Sequence, residues 1–207
     1  RGVGSSRLDD LTARARANIA ASGGEPLTAS NQHETDSPSL TVLGIDPGLA
    51  TTGYGVVAGS TRADGAYVAL AYGTIETPPA MPVPQRLAEI YAQVGALMRH
   101  HRPKVVAIER LFFGANATTA MAVGQARGVL VLAAAQATLP VVEYTPLEVK
   151  SALAGFGRAP KAQMQRMVQA LLALDTLPRP DDAADGLAIA LAHLRLAATR
   201  RVVVQGG

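Results

Sequence analysis

From Thr41 onward, the hydrophobic pattern of this chain starts with strands in succession and then alternates between helices and strands. The first three strand-like segments, at 41–46, 53–58 and 66–76, are joined by short connections that contain glycine, which favours antiparallel neighbours. The later predicted elements are a helix at 84–101, a strand at 104–109, a helix at 118–137, a strand at 141–144, and helices at 146–153, 161–174 and 181–198. This order predicts an α/β fold with a five-stranded mixed sheet and helices on both faces.

Residues 1–40 differ in composition from the rest of the chain. After a short predicted helix at 8–21 they consist mainly of Ser, Gly, Thr, Asn, Gln and Pro, which predicts a flexible polar leader. We therefore expect three parts: this leader, a folded domain at 41–198 and a C-terminal tail at 199–207. The leader holds five acidic and four basic residues, so the basic character of the chain, with a sequence pI of about 9.5, belongs to the folded part.

The composition excludes some classes of protein. There is no Cys, so a disulfide framework and a thiolate metal site are both excluded, and a reducing cytoplasmic location is expected. The longest apolar stretch, at about 129–137, is too short to cross a bilayer, so no membrane association is expected. The mildly basic balance permits a polyanionic partner without requiring one.

Two of the predicted central strands end on a carboxylate. The apolar run at 42–45 is followed by Asp46, and the strand "KVVAIE" ends on Glu109. A buried carboxylate without a partner is unfavourable, so both acids need a structural or a functional reason. Because open α/β folds bind ligands at the carboxyl ends of their strands, both side chains are expected at one rim of the sheet.

A third acidic group lies in the segment "PDDAADGLAIALAHL". Asp182 and Asp185 are three residues apart and so face the same side of a helix, whereas Asp181 points about a quarter turn away. Carboxylates at close range repel one another unless a divalent cation neutralises them, and oxygen ligands without His or Cys suit Mg²⁺ or Mn²⁺. The pattern predicts hydrolysis of a phosphodiester with two metal ions, for which four acids are enough. The predicted ligands and catalytic residues are Asp46, Glu109, Asp182 and Asp185.

Each of these acids also has an ordinary structural explanation. Asp46 precedes a Pro-Gly pair, which is a common turn signal. Asp182 could cap its helix, and Glu109 could pair with Arg110 or Arg127. None of these explanations accounts for three such acidic groups on elements that this topology brings together, so a site is favoured.

Five blocks of the sequence, in order over about residues 41–197, carry a family resemblance: "GIDPGLATTGYGVV", "AIERLFF", "GQARGVLVLAAAQ", "VVEYTPLEVKSALAGFGRAPKAQMQRMV" and "DDAADGLAIALAHL". Together they resemble the RuvC family of crossover junction endodeoxyribonucleases. The resemblance implies a ribonuclease H-like fold, a homodimer, and Mg²⁺-dependent symmetric nicking of two opposing strands of a Holliday junction in recombination and repair. It also implies that the family's four acidic positions are Asp46, Glu109, Asp182 and Asp185. A branch-migration helicase complex is a further expected partner.

Candidate DNA-contacting residues lie in two loops. The segment "ERLFFGANATTA" carries two adjacent Phe, one of which could act as a wedge or stacking platform at the junction centre, and the resemblance favours Phe112 of the two. The ordinary alternative is that both belong to the core. The loop "AGFGRAP" is bracketed by basic residues, and its glycines let backbone N–H groups approach phosphates. The resemblance implies that the lysines that contact phosphate are Lys150 and Lys161. The basic candidates are Lys150, Lys161, Arg110 and Arg158.

Three alternative functions remain open from the sequence alone. The segment "DPGLATTG" also resembles the phosphate-binding hairpin of actin-like ATPases, but the body is too short for a second lobe and shows no adenosine-binding motif. A non-catalytic module that binds junctions is disfavoured because unneutralised acids would be a liability. A related ribonuclease H-like nuclease with another nucleic-acid substrate is the nearest alternative.

Overall fold

The computed structural model of the protein describes residues 39–60, 66–110 and 117–205, with the side chains of 40–60, 66–110 and 120–198. The strands are β1 (Ser39–Asp46), β2 (Thr51–Ser60), β3 (Tyr67–Glu76), β4 (Val105–Glu109) and β5 (Val141–Tyr144). The helices are α1 (Val83–His101), α2 (Ala117–Gln136), α3 (Pro146–Ala154), α4 (Lys161–Leu171) and α5 (Asp181–Gln205). The predicted order of elements is therefore confirmed in the described part of the chain. Residues 1–38 of the predicted leader lie outside it.

The five strands form one mixed sheet in the order β3-β2-β1-β4-β5. The first three strands are antiparallel neighbours, as their short glycine-containing connections predicted. Strands β1, β4 and β5 run parallel to one another, and Ile45 of β1 lies opposite Ile108 of β4. The carboxyl ends of β1 and β4 consequently lie side by side at one rim of the sheet.

Alternate side chains of the central strands enter two separate cores, because successive residues of a strand face opposite sides of the sheet. Val42 and Val105 pack on the side covered by α3, α4 and α5. Leu43 and Val106 pack on the other side, against α1 and α2. The predicted arrangement of helices on both faces is confirmed. None of the helices in the described ranges is long and apolar enough to cross a membrane.

Helix α3 has well-defined ends. Its N-terminus is a capping box in which the Glu148 backbone N–H donates to Thr145 Oγ1 at 3.1 Å and the Thr145 backbone N–H donates to Glu148 Oε2 at 2.7 Å. Its C-terminus is Gly155, which takes a left-handed conformation with φ of 82°. These caps fix the residues at which α3 begins and ends.

Two helix ends differ from the prediction. Helix α4 ends at Leu171 rather than at 174, because Leu172 and Leu174 turn inward to pack against the core and Ala173 adopts a φ of 49° between them. The Gln169 side chain stabilises this turn by donating to the Leu174 carbonyl at 3.2 Å. Helix α5 continues to Gln205, so the residues expected to form a tail extend it. The division into leader, domain and tail stays a prediction.

Candidate metal centre

Asp46 and Glu109 end two adjacent parallel strands. The register that pairs Ile45 with Ile108 places the residues after them side by side. Ile45 and Ile108 face α1 and α2, so the two acids that follow them lie on the α5 side of the sheet. The two carboxyl groups lie close enough for each to shift the pKa of the other. The strand ends therefore bring together the two acids that the sequence placed there.

Helix α5 approaches the sheet closely enough to add its own acids to this pair. A Cβ at Gly53 would lie 2.0 Å from the Asp182 carbonyl oxygen, and a Cβ at Gly186 would lie 2.5 Å from the backbone of Tyr54. Any side chain at these two positions would push the first turns of α5 away from β2. The glycines thus set the depth at which the acids of α5 meet the strand ends.

The carboxylates of Asp46, Asp182 and Asp185 form a compact group. One oxygen from each of the three lies within 4.8 Å of the others, and each residue is only partly exposed. Asp182 and Asp185 are three residues apart in the sequence. The prediction that this spacing places them on the same side of the helix is confirmed. Among the described residues, this is the one group of three or more His, Asp or Glu side chains that are close enough together to hold a cation.

Burial raises the pKa values of Asp46 and Glu109. For Asp46, burial is the main cause and the negative charges of Glu109, Asp185 and Asp182 add to it, so that its pKa rises to about 8. Burial also raises the pKa of Glu109, although Asp46 and Lys150 oppose the rise. These groups cannot all be ionised at neutral pH without a neutralising cation.

Lys161 lies against the same acids. Its Nζ is 3.3 Å from Asp185 Oδ2 and 3.3 Å from Asp181 Oδ2. Burial raises the pKa of Asp185 and the Lys161 ammonium opposes that rise. Gln165, one turn further along α4, donates to Asp181 Oδ1 at 2.8 Å and is the first cause of that acid's lowered pKa. The sequence predicted Lys161 as a contact for phosphate. It did not reveal that Asp181 pairs with Lys161 and accepts a hydrogen bond from Gln165.

A cavity of about 230 Å³ opens beside the acids. Its apolar wall includes Val149 of α3, Met164 of α4 and Ile189 of α5. Its charged lining consists of Asp46, Glu109, Asp185, Lys150 and Lys161. Two of the four predicted basic contacts therefore lie at the acidic cluster, on opposite sides of the connection between α3 and α4.

The other predicted DNA contacts lie elsewhere. Arg110 Nε is 3.6 Å from Glu143 Oε2, and Arg127 pairs with the same carboxylate. Arg158 is exposed in the connection between α3 and α4. Phe112 lies outside the described residues. In the part of the chain that the structure describes, neither Arg110 nor Arg127 forms an ion pair with Glu109, so the ordinary explanation for that acid is wrong.

The chemistry of the cluster suits a hard divalent cation. All of its donors are carboxylate oxygens, the ligands that Mg²⁺ and Mn²⁺ prefer, and the cavity leaves room for phosphate oxygens and water beside them. The two lysines can contact the negative charge of a phosphate. This set of residues can therefore hold metal ions next to a phosphodiester, which is the arrangement that metal-assisted hydrolysis requires.

Comparison with known proteins agrees with this chemistry. A family model described as Crossover junction endodeoxyribonuclease RuvC matches residues 42–193. The protein of that name from Moorella thermoacetica is 56% identical over 165 residues, which cover 78% of this chain and 95% of the relative. The one from Thermomicrobium roseum is 51% identical over 156 residues, covering 75% of this chain and 93% of the relative.

Solved structures give the same result. The Thermus thermophilus RuvC structure is similar to this chain with a TM-score of 0.73 and 39% identity, over 78% of this chain and 97% of that one. The same protein, solved in complex with a Holliday junction substrate, matches equally well. The yeast mitochondrial resolvase Ydc2, with 16% identity and a TM-score of 0.58, shares the fold.

Proposed function

Because the chain belongs to the RuvC family of crossover junction endodeoxyribonucleases, we propose that it resolves Holliday junctions by nicking two opposing strands. The observation that carries the proposal is the convergence of Asp46, Asp182 and Asp185 within 4.8 Å, beside Glu109 and two lysines. Without neutralisation such a cluster would destabilise the fold. A non-catalytic module would have no use for it.

The proposed ligands are the four acids, and the proposed cations are two Mg²⁺ per site, with Mn²⁺ as a substitute. Bound ions would supply the activation of the attacking water and the stabilisation of the departing oxygen. The carboxylates of Asp46, Glu109, Asp182 and Asp185 supply the oxygen ligands. The partial burial of these acids limits the water around the reacting phosphate, which strengthens every electrostatic interaction there.

The proposed DNA contacts differ in how well the structure supports them. Lys150 and Lys161 line the cavity next to the acids, at a suitable place to hold the scissile phosphate by charge. Arg158 is exposed nearby in the chain and suits a flanking phosphate. Arg110 is half exposed but shares Glu143 with Arg127, so its proposed contact requires part of that pairing to be given up. Phe112 is proposed from the sequence alone.

A homodimer is proposed because the symmetric cutting of two strands needs two sites. Helix α2 supports it: Met121 and Leu132 are 70% and 52% exposed, although both are large and apolar. Between them on the same helix, Gly124 and Gly128 have open space where a Cβ would stand. A second copy could approach this surface closely. A branch-migration helicase partner and a cytoplasmic location stay predictions.

The test uses the purified full chain and a synthetic four-way junction with each strand labelled in turn, in Mg²⁺ and in EDTA. We expect Mg²⁺-dependent nicks at symmetric positions on two opposing strands, and none on a linear duplex of the same sequence. Equal degradation of junction and duplex would favour the alternative of a related nuclease with another substrate. Binding of the junction without any nicks would favour the non-catalytic module.

A further inference from the structure

The connection between α3 and α4 exposes an aromatic side chain that the proposed function has not used. Phe156 is 48% exposed, in a chain with only three Phe in all. Leu147, on the first turn of α3, is 62% exposed. The residue after Phe156 packs against Leu147, since a Cβ at Gly157 would lie 2.8 Å from Leu147 Cγ. The two exposed side chains form what we call the Leu147–Phe156 patch.

This connection is held in place at both ends. Gly155 adopts a φ of 82°, and its backbone N–H donates to the Ser151 carbonyl at 3.0 Å, which closes α3. Ala159, just before α4, is 1% exposed and belongs to the core. Phe156 therefore projects from a fixed backbone, between two glycines that have no side chains to cover it. A large apolar group presented in this way is suited to a ligand.

The patch lies next in the sequence to residues that line the cavity of the candidate metal centre. Pro146, next to Leu147 in α3, lines the acidic cavity, and so do Lys150 on the same helix and Lys161 at the start of α4. Arg158 is exposed two residues after Phe156. The patch is thus bracketed by cations on the chain segments that surround the acids, and the connection from 155 to 160 contains no acidic residue.

We propose that Phe156 stacks on a nucleobase of the strand whose phosphate occupies the acidic cavity, with Leu147 packing against the adjoining sugar. A strand that delivers a phosphate to the acids carries apolar base faces immediately beside it. Aromatic side chains set among cations are the usual platform for unpaired bases. This inference rests on the proposed function and names a contact that positions the substrate.

The experiment uses the full chain in Ca²⁺, which permits binding with little cleavage, and a four-way junction with 2-aminopurine next to the cut phosphate. Stacking quenches the fluorescence of this base. We expect quenching with the unmodified protein and with Phe156→Tyr, and its loss with Phe156→Ala and Phe156→Leu. Junction affinity should fall about fivefold or more in Phe156→Ala. The matched control is Val68→Ala, because Val68 is 53% exposed on β3, and it should leave both readouts unchanged.

Two results would overturn the inference. One is quenching and affinity in Phe156→Leu equal to those of the unmodified protein, which would mean that no aromatic face is needed. The other is an altered oligomeric state of Phe156→Ala in size-exclusion chromatography with light scattering, which would mean that the patch contacts protein. Parallel nicking assays in Mg²⁺ separate these results from failure of the proposed function, in which the unmodified protein itself would not nick the junction.

Discussion

Asp46 lies where its own negative charge is least favourable. Burial, followed by the charges of Glu109, Asp185 and Asp182, raises its pKa to about 8, so at neutral pH the carboxyl group keeps its proton unless a cation is near. Divalent cation binding to such a site releases protons. An environment that would be a liability for a structural aspartate is the expected one for a metal ligand.

We expect the metal-free protein to lose stability, relative to Asp46→Asn, as the pH rises from about 4 to about 8. The folded state keeps a proton on Asp46 that the unfolded state releases near pH 3.8. The stabilisation that comes from this proton is complete below that pH and is lost as the pH rises through about 8. The difference should be on the order of a few kcal/mol. Urea unfolding in EDTA at a series of pH values measures it.

Added Mg²⁺ provides the control for this prediction. It should stabilise the unmodified protein at pH 8 and have little effect on Asp46→Asn, which lacks a ligand for it. A stability difference between the two proteins that does not change with pH would contradict the raised pKa.

Substitution of the same residue should separate cleavage from binding. Asp46→Asn is expected to reduce the Mg²⁺-dependent nicking rate to below about one-hundredth of the original, because a proposed metal ligand is lost. Junction affinity should stay within about threefold, because the proposed phosphate contacts, Lys150 and Lys161, lie on other elements. Single-turnover nicking and a gel-shift titration measure the two quantities. Undiminished nicking would refute the assignment of Asp46.

Helix α5 is the element on which the geometry of the site depends. Its first turns carry Asp182 and Asp185. These acids reach the strand ends only because Gly53 of β2 has no side chain to hold the helix away. The acids of the strands and those of the helix are therefore brought together by the closeness of helix and sheet packing.

We expect Gly53→Ala to destabilise the fold by about 1–3 kcal/mol and to weaken divalent cation binding, because the added methyl group displaces the Asp182 backbone. Thermal unfolding and calorimetric titration with Mn²⁺ measure the two effects. The control is Gly95→Ala in α1, where the new Cβ would meet only the mobile end of the Arg99 side chain at 3.2 Å. Equal Mn²⁺ affinity in both variants would contradict this account of α5.

The sequence permitted prediction of the elements and the acids, because both depend on local pattern. Strand ends and a spacing of three residues indicate Asp46, Glu109, Asp182 and Asp185 as candidates without knowledge of any distance, and the structure brings these acids close together. The ion pairs of Lys161 could not be predicted, since they depend on the angle at which α4 meets α5. Helix α4 ended early for a similar reason: Leu172 packs into the core, which local propensity does not reveal.

In the whole molecule, the acidic rim and the exposed apolar side chains of α2 have separate roles in the proposed dimer. Met121 and Leu132 belong to a helix on the face opposite α5, so a second copy bound there would leave the acids open to DNA. Each copy would then present one metal centre to the same junction. Paired cutting would depend on this surface although it contains no part of the site.

Leu132→Glu is accordingly expected to convert the dimer to a monomer, because it places charges in the apolar contact. Leu70→Glu is the matched control, since Leu70 is 47% exposed on the edge strand β3. Light scattering after size exclusion measures the mass, and nick mapping shows whether opposing strands are still cut together. A monomeric unmodified protein, or a dimeric Leu132→Glu, would contradict the proposed surface.

We propose that four carboxylates distant in the sequence form one divalent cation site. Anomalous diffraction from crystals of the protein grown with Mn²⁺ locates such ions without reference to activity. We expect anomalous peaks within about 2.5 Å of oxygens from Asp46, Glu109, Asp182 and Asp185. Mn²⁺ bound only elsewhere on the protein, with these four side chains free of it, would show that they do not form a cation site.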